Sequence, residues 1–387
     1  MKKILKAIAL LPPVTALAFC MFLGAALALE LDFHGLFQLQ YENSDGNTND
    51  EKVNEMFIRR MTLRFTGNIS KKAKLILEPE FGKGEPEIKD AYLLFSNPSN
   101  EVRIGNHLVP FESEQIVADK SLAFVERRLT ASLSPGHNEG VSLLYHFFKK
   151  KLYIQAGVWN TNFNVDAETS LINNRLDHPQ VFFSNYEERG NNLFINAARL
   201  EFGTSSYSRY EGFRHDPKRK SFTQYGASFF KTSASPSEDG PIQGATGFRN
   251  ASAYEVDFAY NGSSLNFELV YGSRHLEWWQ YSFVQLEQVS ITSIQKSYSA
   301  HLLFAFSQRW GLSARYEYLD YDHQDYLNGK YGQLNDNWVT FGINYDLPKD
   351  NTRVQINYIR KEEGWPEDYG GDPVENDSML IQSTVYF

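Results

Sequence analysis

Arginine side chains are the residues of this sequence whose type and spacing could do specific chemistry. Arg127 and Arg128 are adjacent in a long segment of mixed polarity, and Arg60 lies in an earlier segment of alternating polarity. A guanidinium group donates paired hydrogen bonds to an oxyanion and keeps its charge at physiological pH. A further basic group comprises Arg209, Arg214, Lys218, Arg219 and Lys220. The chemistry that these residues suggest is the binding of anions.

The composition limits the elements that can position these arginines. Of 387 residues, 42% are hydrophobic and 15% are aromatic, including 29 Phe and 22 Tyr. The mean hydropathy is nevertheless −0.44, so apolar residues must alternate with polar ones. A charged fraction of 22% and 14 Pro argue against a disordered chain. Beyond the first 28 residues no run approaches the ~18 apolar residues of a transmembrane helix.

Residues 1–28 have the pattern of a signal peptide. Lys2, Lys3 and Lys6 precede an apolar stretch over 8–25, and Ala26-Leu27-Ala28 resembles a cleavage site. The only cysteine, Cys20, lies within this segment. Removal of residues 1–28 would leave residues 29–387 with 35 basic and 47 acidic residues, a formal charge of −12. So acidic a chain is a poor partner for nucleic acid.

From Leu31 onward the polarity alternates with a period of two, which indicates strands with one apolar face and one polar face. Phe33, Phe37 and Leu39, for example, alternate with His34, Gln38 and Gln40. The weakest of these segments is 192–203, where Arg199 interrupts the apolar face as we assign it. The pattern predicts sixteen strands, at 31–41, 56–69, 73–81, 88–95, 101–106, 139–148, 152–160, 192–203, 221–232, 251–260, 265–273, 295–306, 310–321, 337–346, 352–361 and 377–387.

The connections between these strands alternate in length. Those after even-numbered strands are mostly tight turns, with 204–220 as the exception. Those after odd-numbered strands are long, at 42–55, 107–138, 161–191, 233–250, 274–294, 322–336 and 362–376. Short turns on one rim and long loops on the other are typical of an outer-membrane barrel, with its turns in the periplasm and its loops outside the cell.

These features together predict a 16-stranded antiparallel transmembrane β-barrel in the Gram-negative outer membrane, exported through the periplasm. The chain ends in the alternating aromatic sequence Ser383-Thr384-Val385-Tyr386-Phe387, which resembles the terminal strand of outer-membrane proteins. A closed barrel pairs every backbone group within the lipid. Sixteen strands enclose a bore too wide for side chains to fill, so the function most directly implied is diffusion through water.

The connection 107–138 combines apolar and basic residues. Its apolar residues would be poorly placed in solvent, whereas a path folded inward lets them anchor on the barrel wall while Arg127 and Arg128 face the channel. Such a loop would set the size and charge selectivity of the pore. An external helical excursion is the alternative reading of this segment.

Several motifs resemble the phosphate-selective porin family of O and P type. They are 57–65 (FIRRMTLRF), 89–93 (KDAYL), 103–106 (RIGN), and the series Val109-Pro110-Phe111, Glu126-Arg127 and Ser134-Pro135-Gly136. The resemblance is clearest over 57–157. It implies a homotrimer of sixteen-stranded barrels, a third loop folded into the pore, and a basic path for phosphate or other anions. Matched by motif, Arg59, Arg60, Arg127 and Asp90 would contribute to that path.

The wall charges limit how far phosphate selectivity can be expected. Strict alternation directs six basic residues to the lumen, Arg60, Arg64, Lys74, Arg103, Arg315 and Arg353. It also directs nine acidic residues there, Asp32, Glu78, Glu80, Asp90, Glu255, Asp257, Glu268, Glu317 and Asp346. We therefore expect a mild preference for anions set by Arg127 and Arg128 with Arg60. The basic segment 204–220 either draws anions through the periplasmic rim or is a solvated turn.

Two alternatives remain open from the sequence. A porin for neutral sugars or uronates could use Trp159, Trp278 and Trp279 as a stacking track. An outer-membrane hydrolase could use Ser299 and His301, which share a strand face, although spaced polar residues are expected on any lumen face. The sequence has no G-x-S-x-G motif, no phosphate-cradling glycine loop and no Cys/His metal set. We predict no enzyme activity, cofactor or metal; the expected partners are small hydrophilic solutes, outer-membrane lipid and lipopolysaccharide.

Overall fold

The computed structural model describes residues 30–44, 53–82, 85–161, 193–204, 221–233, 247–282, 287–325, 330–347, 351–363, 374–375 and 377–387. The predicted signal peptide, 1–28, lies outside these ranges. Within them the chain forms sixteen strands and three short 3₁₀ helices. No helix of the described ranges has the length and apolar content needed to cross a bilayer.

The strands form one closed antiparallel sheet. Each pairs with its neighbours in chain order, and β1 pairs with both β2 and β16, which confirms the predicted 16-stranded barrel. β16 is described in two stretches. The strands are β1 (Glu30–Ser44), β2 (Val53–Ser70), β3 (Ala73–Gly82), β4 (Glu85–Ser96), β5 (Asn100–Leu108), β6 (His137–Phe147), β7 (Leu152–Thr161), β8 (Leu193–Gly203), β9 (Phe222–Ser233), β10 (Gly247–Asn261), β11 (Leu265–Ser282), β12 (Glu287–Ala305), β13 (Trp310–Asp325), β14 (Lys330–Leu347), β15 (Thr352–Glu363) and β16 (Val374–Glu375 and Ser378–Tyr386).

Several strands are longer than the sequence predicts, at the ends that lead into the predicted long loops. β11 continues to Ser282 and β12 begins at Glu287, so most of the predicted 274–294 loop is a paired hairpin. The same holds for β13 and β14, which leave only 326–329 between them. Backbone pairing continues beyond the band in which side chains must alternate in polarity, so alternation alone underestimates strand length.

The two faces of each strand separate as the alternation predicts. In β8, Phe194, Leu200 and Phe202 are exposed on the outer face, where lipid lies. Arg199 and Glu201 point into the barrel and are buried. The assignment of Arg199 to the apolar face was therefore wrong, because the apolar face of this strand is carried by the even-numbered residues.

A β-bulge at Arg59 changes which residues of β2 face the lumen. Gln38 of β1 lies opposite Arg60 and Leu39 lies opposite Ile58, so Arg59 is an extra residue in β2. A bulge shifts the alternation by one residue. Arg59 and Arg60 therefore both point inward, which strict alternation would not allow.

A second bulge lies at Lys89 of β4. Glu78 of β3 pairs with Asp90 and Pro79 pairs with Ile88, so Lys89 has no residue opposite it. Lys89 and Asp90 consequently both face the barrel interior, while Ile88 is exposed on the outside. The two bulges place extra basic side chains on neighbouring parts of the wall.

The segment 109–136, called the inner loop below, folds into the barrel. Its apolar side chains are buried against an apolar patch on the inner face of the wall; Phe111, for example, packs edge-on against Phe230 of β9 with ring centroids 4.9 Å apart. Burial of one such side chain contributes about 1.5–3 kcal/mol. The anchoring residues are Val109, Phe111, Val125, Leu129 and Leu133 in one cluster, and Val117, Leu122, Ala123 and Phe124 in another.

Candidate functional site

Wall side chains hold the main chain of the inner loop. The N–H of Leu129 donates to Glu317 Oε1 at 2.6 Å, and Arg353 Nη1 donates to the carbonyl oxygen of Leu122 at 2.9 Å. The loop is thus fixed to β10–β15 by hydrogen bonds as well as by apolar packing. Further bonds of this kind join Ser113 to Glu255, Val125 to Asn357, and Arg315 to Glu126.

The inner loop leaves an open cavity of about 1830 Å³ on its other side, bounded mainly by β1–β7. The loop packs against the opposite part of the wall, so this cavity lies between the inner loop and β1–β7. Its basic lining residues are Arg59, Arg60, Arg64, Lys89, Arg103, Lys120, Arg127 and Arg128, and its acidic ones are Glu78, Glu87, Asp90, Asp119, Glu126 and Glu139.

Asp119 of the inner loop is the centre of the largest charge cluster in this cavity. Arg60 Nη1 donates to Asp119 Oδ1, Lys89 Nζ lies 3.0 Å from Oδ2, and Arg127 Nη2 lies 2.5 Å from Oδ1. Glu80 of β3 joins from the wall, 3.3 Å from Arg60 Nε and 2.9 Å from Lys89 Nζ. We refer to these five residues as the Asp119 cluster.

Arg59 makes a second connection between the wall and the inner loop. Its Nη1 and Nη2 atoms donate to the two carboxylate oxygens of Glu126, at 2.5 and 2.6 Å. Gln40 of β1 accepts a further bond from Nη1 at 3.2 Å. This two-pronged geometry fixes the guanidinium in one plane. Arg59 therefore lines the cavity, but Glu126 occupies its paired donors.

The other predicted wall residues form separate ion pairs. Arg64 Nη1 lies 2.5 Å from Glu78 and 3.0 Å from Asp90, and it remains the most accessible of these arginines, with 35% of its side chain exposed. Arg103 pairs with Glu101 at 3.1 Å. The structure thus brings Asp90 and Arg64 together and leaves Arg103 outside the Asp119 cluster.

Arg127 lies on the cavity, but its hydrogen bonds run within the inner loop. In addition to Asp119, its guanidinium donates to the carbonyl oxygens of Glu114 and Val117. It therefore folds residues 114–119 into a compact tip as well as contributing charge to the cavity.

Arg128 does not face the channel, contrary to the prediction. Its side chain is 0% exposed and lies between the loop and the wall, 3.0 Å from Glu112, 3.5 Å from Glu114 and 3.1 Å from Glu268. The adjacent residues Arg127 and Arg128 point to opposite sides of an extended segment, so only one of them can face the cavity. Arg128 therefore joins the loop to the wall.

Burial and charge shift the pKa values of the loop carboxyl groups in different directions. Burial disfavours ionisation of Asp119, but Arg60, Lys89 and Arg127 outweigh it and hold the pKa of Asp119 well below its ordinary value. Burial raises the pKa of Glu112 to about 7 against the opposing effect of Arg128. Asp119 is therefore ionised throughout the physiological range, whereas Glu112 titrates within it.

Sequence reasoning missed Lys89, Glu80 and Asp119 as members of one cluster. The spacing of apolar residues in β2 could have revealed its bulge. Ile58 and Met61 lie three residues apart on the same outer face, whereas regular alternation would place them on opposite faces. No sequence signal places Asp119, because its position depends on the path of the inner loop. The predicted basic group Arg209, Arg214, Lys218, Arg219 and Lys220 lies outside the described residues.

The first half of this barrel is similar to a known protein family. Residues 31–196 match the family described as phosphate-selective porin O and P. The predicted resemblance is thereby confirmed, and the match includes the inner loop and both bulged strands. No curated protein matches the chain.

Solved structures of a porin and of other outer-membrane proteins share the fold across almost the whole chain. An anion-selective porin from Comamonas acidovorans has a TM-score of 0.59 at 12% identity, with 93% of this chain and 100% of that chain covered. OmpT of Vibrio cholerae in its trimer form has a TM-score of 0.56 at 12% identity, covering 93% and 99%. The channel DcaP of Acinetobacter baumannii has a TM-score of 0.55 at 8% identity, covering 93% and 97%. At these identities the likeness establishes the porin fold.

The residues of the hydrolase alternative lie beneath the inner loop of this porin barrel. His301 Nε2 is 2.5 Å from Glu268 Oε2, and the ring of Phe124 stacks over His301 at 5.9 Å. Ser299 and His301 are both buried. The family match and the shared fold point to a channel rather than an enzyme.

The sugar alternative loses one of its three stacking residues. Trp159 is 0% exposed, because it lies in the apolar cluster under the inner loop of the porin barrel, 5.3 Å from the ring of His107. A buried ring cannot stack on a passing solute. Trp278 and Trp279 belong to β11, and their side chains lie outside the described parts of the structure.

Proposed function

We propose that the protein is an outer-membrane porin for the passive diffusion of small hydrophilic solutes, with a mild preference for anions such as phosphate. The observation that carries this proposal is the open cavity of about 1830 Å³ beside the inner loop, lined by charged side chains within a closed barrel. An apolar outer face and a charged inner cavity suit a water-filled channel in lipid.

The charges of the cavity support a mild rather than strict anion preference. With the buried Arg128 left aside, basic lining residues exceed acidic ones by one, seven against six, and most of the arginines are paired with carboxylates. A permeating anion would therefore meet several weak, partly compensated sites, which favours release as well as entry. The description of the matched family and the anion selectivity named for the Comamonas porin agree with this sign.

The assembly and location follow from the same proposal. The similar outer-membrane protein OmpT, solved in trimer form, supports a homotrimer. In the membrane that trimer would contact lipid and lipopolysaccharide. Export through the periplasm would use the predicted signal peptide at 1–28. The basic residues of 204–220 would then draw anions at the periplasmic rim.

Single-channel recording in planar bilayers tests the proposal. In a tenfold KCl gradient the reversal potential of the purified protein should have the sign of chloride preference, and phosphate should enter liposomes faster than a neutral sugar of similar size. Heat-unfolded protein is the control for membrane leakage. A preference for potassium would refute the anion selectivity, and membranes that stay impermeable would refute the channel itself.

A further inference from the structure

Three cations converge on one carboxylate at the edge of the open cavity. Arg60 and Lys89 approach Asp119 from the barrel wall, and Arg127 approaches it from the loop. Both oxygens of Asp119 accept hydrogen bonds, Oδ1 from the two guanidinium groups and Oδ2 from the ammonium group. This is the donor set that a free carboxylate or phosphate group would use.

The two carboxylates of the Asp119 cluster differ in their attachment. Glu80 lies within β3, whose backbone is paired on both sides, so it is a fixed counter-ion for Arg60 and Lys89. Asp119 lies in a three-residue 3₁₀ turn at the tip of the inner loop, with no strand pairing. The position of Asp119 is therefore set by its ion pairs and by the fold of the loop tip.

The bulges support a site built for an anion. Without the extra residues at Arg59 and Lys89, alternation would direct only one residue of each adjacent pair inward. With the bulge in β4, Lys89 and Asp90 both face the lumen, and Lys89 reaches Asp119. Local distortion of the strands thus adds a cation where the loop presents its carboxylate.

We propose that Arg60, Lys89 and Arg127 form an oxyanion-binding site, and that Asp119 occupies it as a tethered competitor of the solute. The inference rests on the proposed channel function and deepens it. Asp119 keeps three cations from holding a passing carboxylate or phosphate group tightly, so the solute exchanges with Asp119 and leaves. Asp119 is thereby the residue that determines selectivity and residence time in the pore.

The test is the variant Asp119→Asn, which removes the charge and keeps the size of the side chain. In planar bilayers we expect the chloride-to-potassium permeability ratio to rise about 25-fold, because the loss of one negative charge acting at about 4 Å through water favours chloride about fivefold and disfavours potassium about fivefold. Added phosphate or acetate should then block the chloride current at a concentration at least tenfold lower than in the wild type. Asp119→Glu, which keeps the charge, should behave like the wild type.

Glu126→Gln is the matched control, because it removes one negative charge from the same loop, and the guanidinium that it hydrogen-bonds is that of Arg59, outside the three cations of the proposed site. Its permeability ratio should rise less, and phosphate should block it no better than the wild type. In Asp119→Asn the further change Lys89→Gln should weaken the block again. Phosphate block without acetate block would narrow the site to phosphate, and block by both supports the shared oxyanion chemistry.

Two results would overturn the inference while leaving the channel function in place. One is equal selectivity changes in Asp119→Asn and Glu126→Gln, which would make the effect one of overall charge. The other is a larger conductance for both ions without anion block, which would mean that Asp119 only holds the loop tip in place. Wild-type protein that forms no channel would instead refute the proposed function.

Discussion

Replacing Arg128 with methionine should release the inner loop from the barrel wall. Arg128 joins Glu112 and Glu114 of the loop to Glu268 of β11, and its side chain is 0% exposed. Methionine fills much of the same space but leaves these carboxylates without their shared cation. The loop would then have to bury uncompensated negative charge against the wall.

The expected loss of loop-packing free energy is large because Arg128 and its carboxylate partners are buried. Removing one partner of such a pair costs about 3–5 kcal/mol. At about 1.4 kcal/mol for each tenfold change, the ratio of packed to released loop falls by roughly two to four powers of ten. The effect should be greatest near pH 8, where Glu112, with its pKa raised to about 7, is mainly ionised in the packed loop.

Conductance and proteolysis together measure this release. Arg128→Met should give larger and noisier single-channel currents than the wild type, and trypsin should cut the folded protein after Lys120 or Arg127. Arg103→Met is the matched control, since the ion pair of Arg103 with Glu101 does not involve the inner loop and both side chains are partly exposed, 19% and 29%. That pair is worth at most about 1 kcal/mol, so the control should keep its loop packed.

The reasoning would be refuted if Arg128→Met kept the conductance and the trypsin resistance of Arg103→Met. Such a result would mean that apolar packing alone holds the loop, and that the buried carboxylates become neutral at little cost.

Three further predictions concern the pH response, the backbone and the alternative solute. Because the pKa of Glu112 is raised from 4.5 to about 7, its contribution to the stability of loop packing is complete below pH 4.5 and is lost as the pH rises through 7. Current noise should therefore be greater at pH 8 than at pH 5.5. Glu112→Gln should reduce this difference. Gly105 has a φ of 128°, and an added methyl group would overlap the carbonyl of Ala91, so Gly105→Ala should destabilise the barrel by about 1–3 kcal/mol in urea unfolding. Gly136→Ala, with a φ of 72° but no neighbour in the way, should cost less, and equal losses would contradict the steric argument. Trp159→Phe should leave the permeability ratio of sugars to phosphate unchanged in liposome swelling, and a selective loss of sugar uptake would restore the stacking track.

The barrel could be predicted closely because its cause is local. Alternation of side chains is a property of each strand by itself, and each of the sixteen predicted segments lies in a strand of the structure to within one residue at its ends. The inward path of 107–138 also follows from composition, since its apolar residues need a dry surface. Strand ends were less predictable, because hairpin pairing such as that of β11 with β12 continues where the apolar pattern fades.

The candidate site could be predicted only in part. Arg60 and Arg127 were identified, and both lie in the Asp119 cluster. Arg128 was assigned to the channel but is buried, because adjacent residues of an extended loop point in opposite directions and the sequence does not say which faces the wall. The roles of Lys89 and Asp119 depend on a bulge and on a loop path that no local pattern specifies.

The sequence by itself determined that this chain closes into a barrel with an apolar exterior and a polar interior, because side-chain polarity alternates with a period of two along the strands. Only the tertiary structure decided which charges remain available to a solute. Ion pairing depends on distances between strands and loop that are far apart in the sequence, and a difference of a few ångströms separates an arginine open to the channel from one already neutralised by a carboxylate.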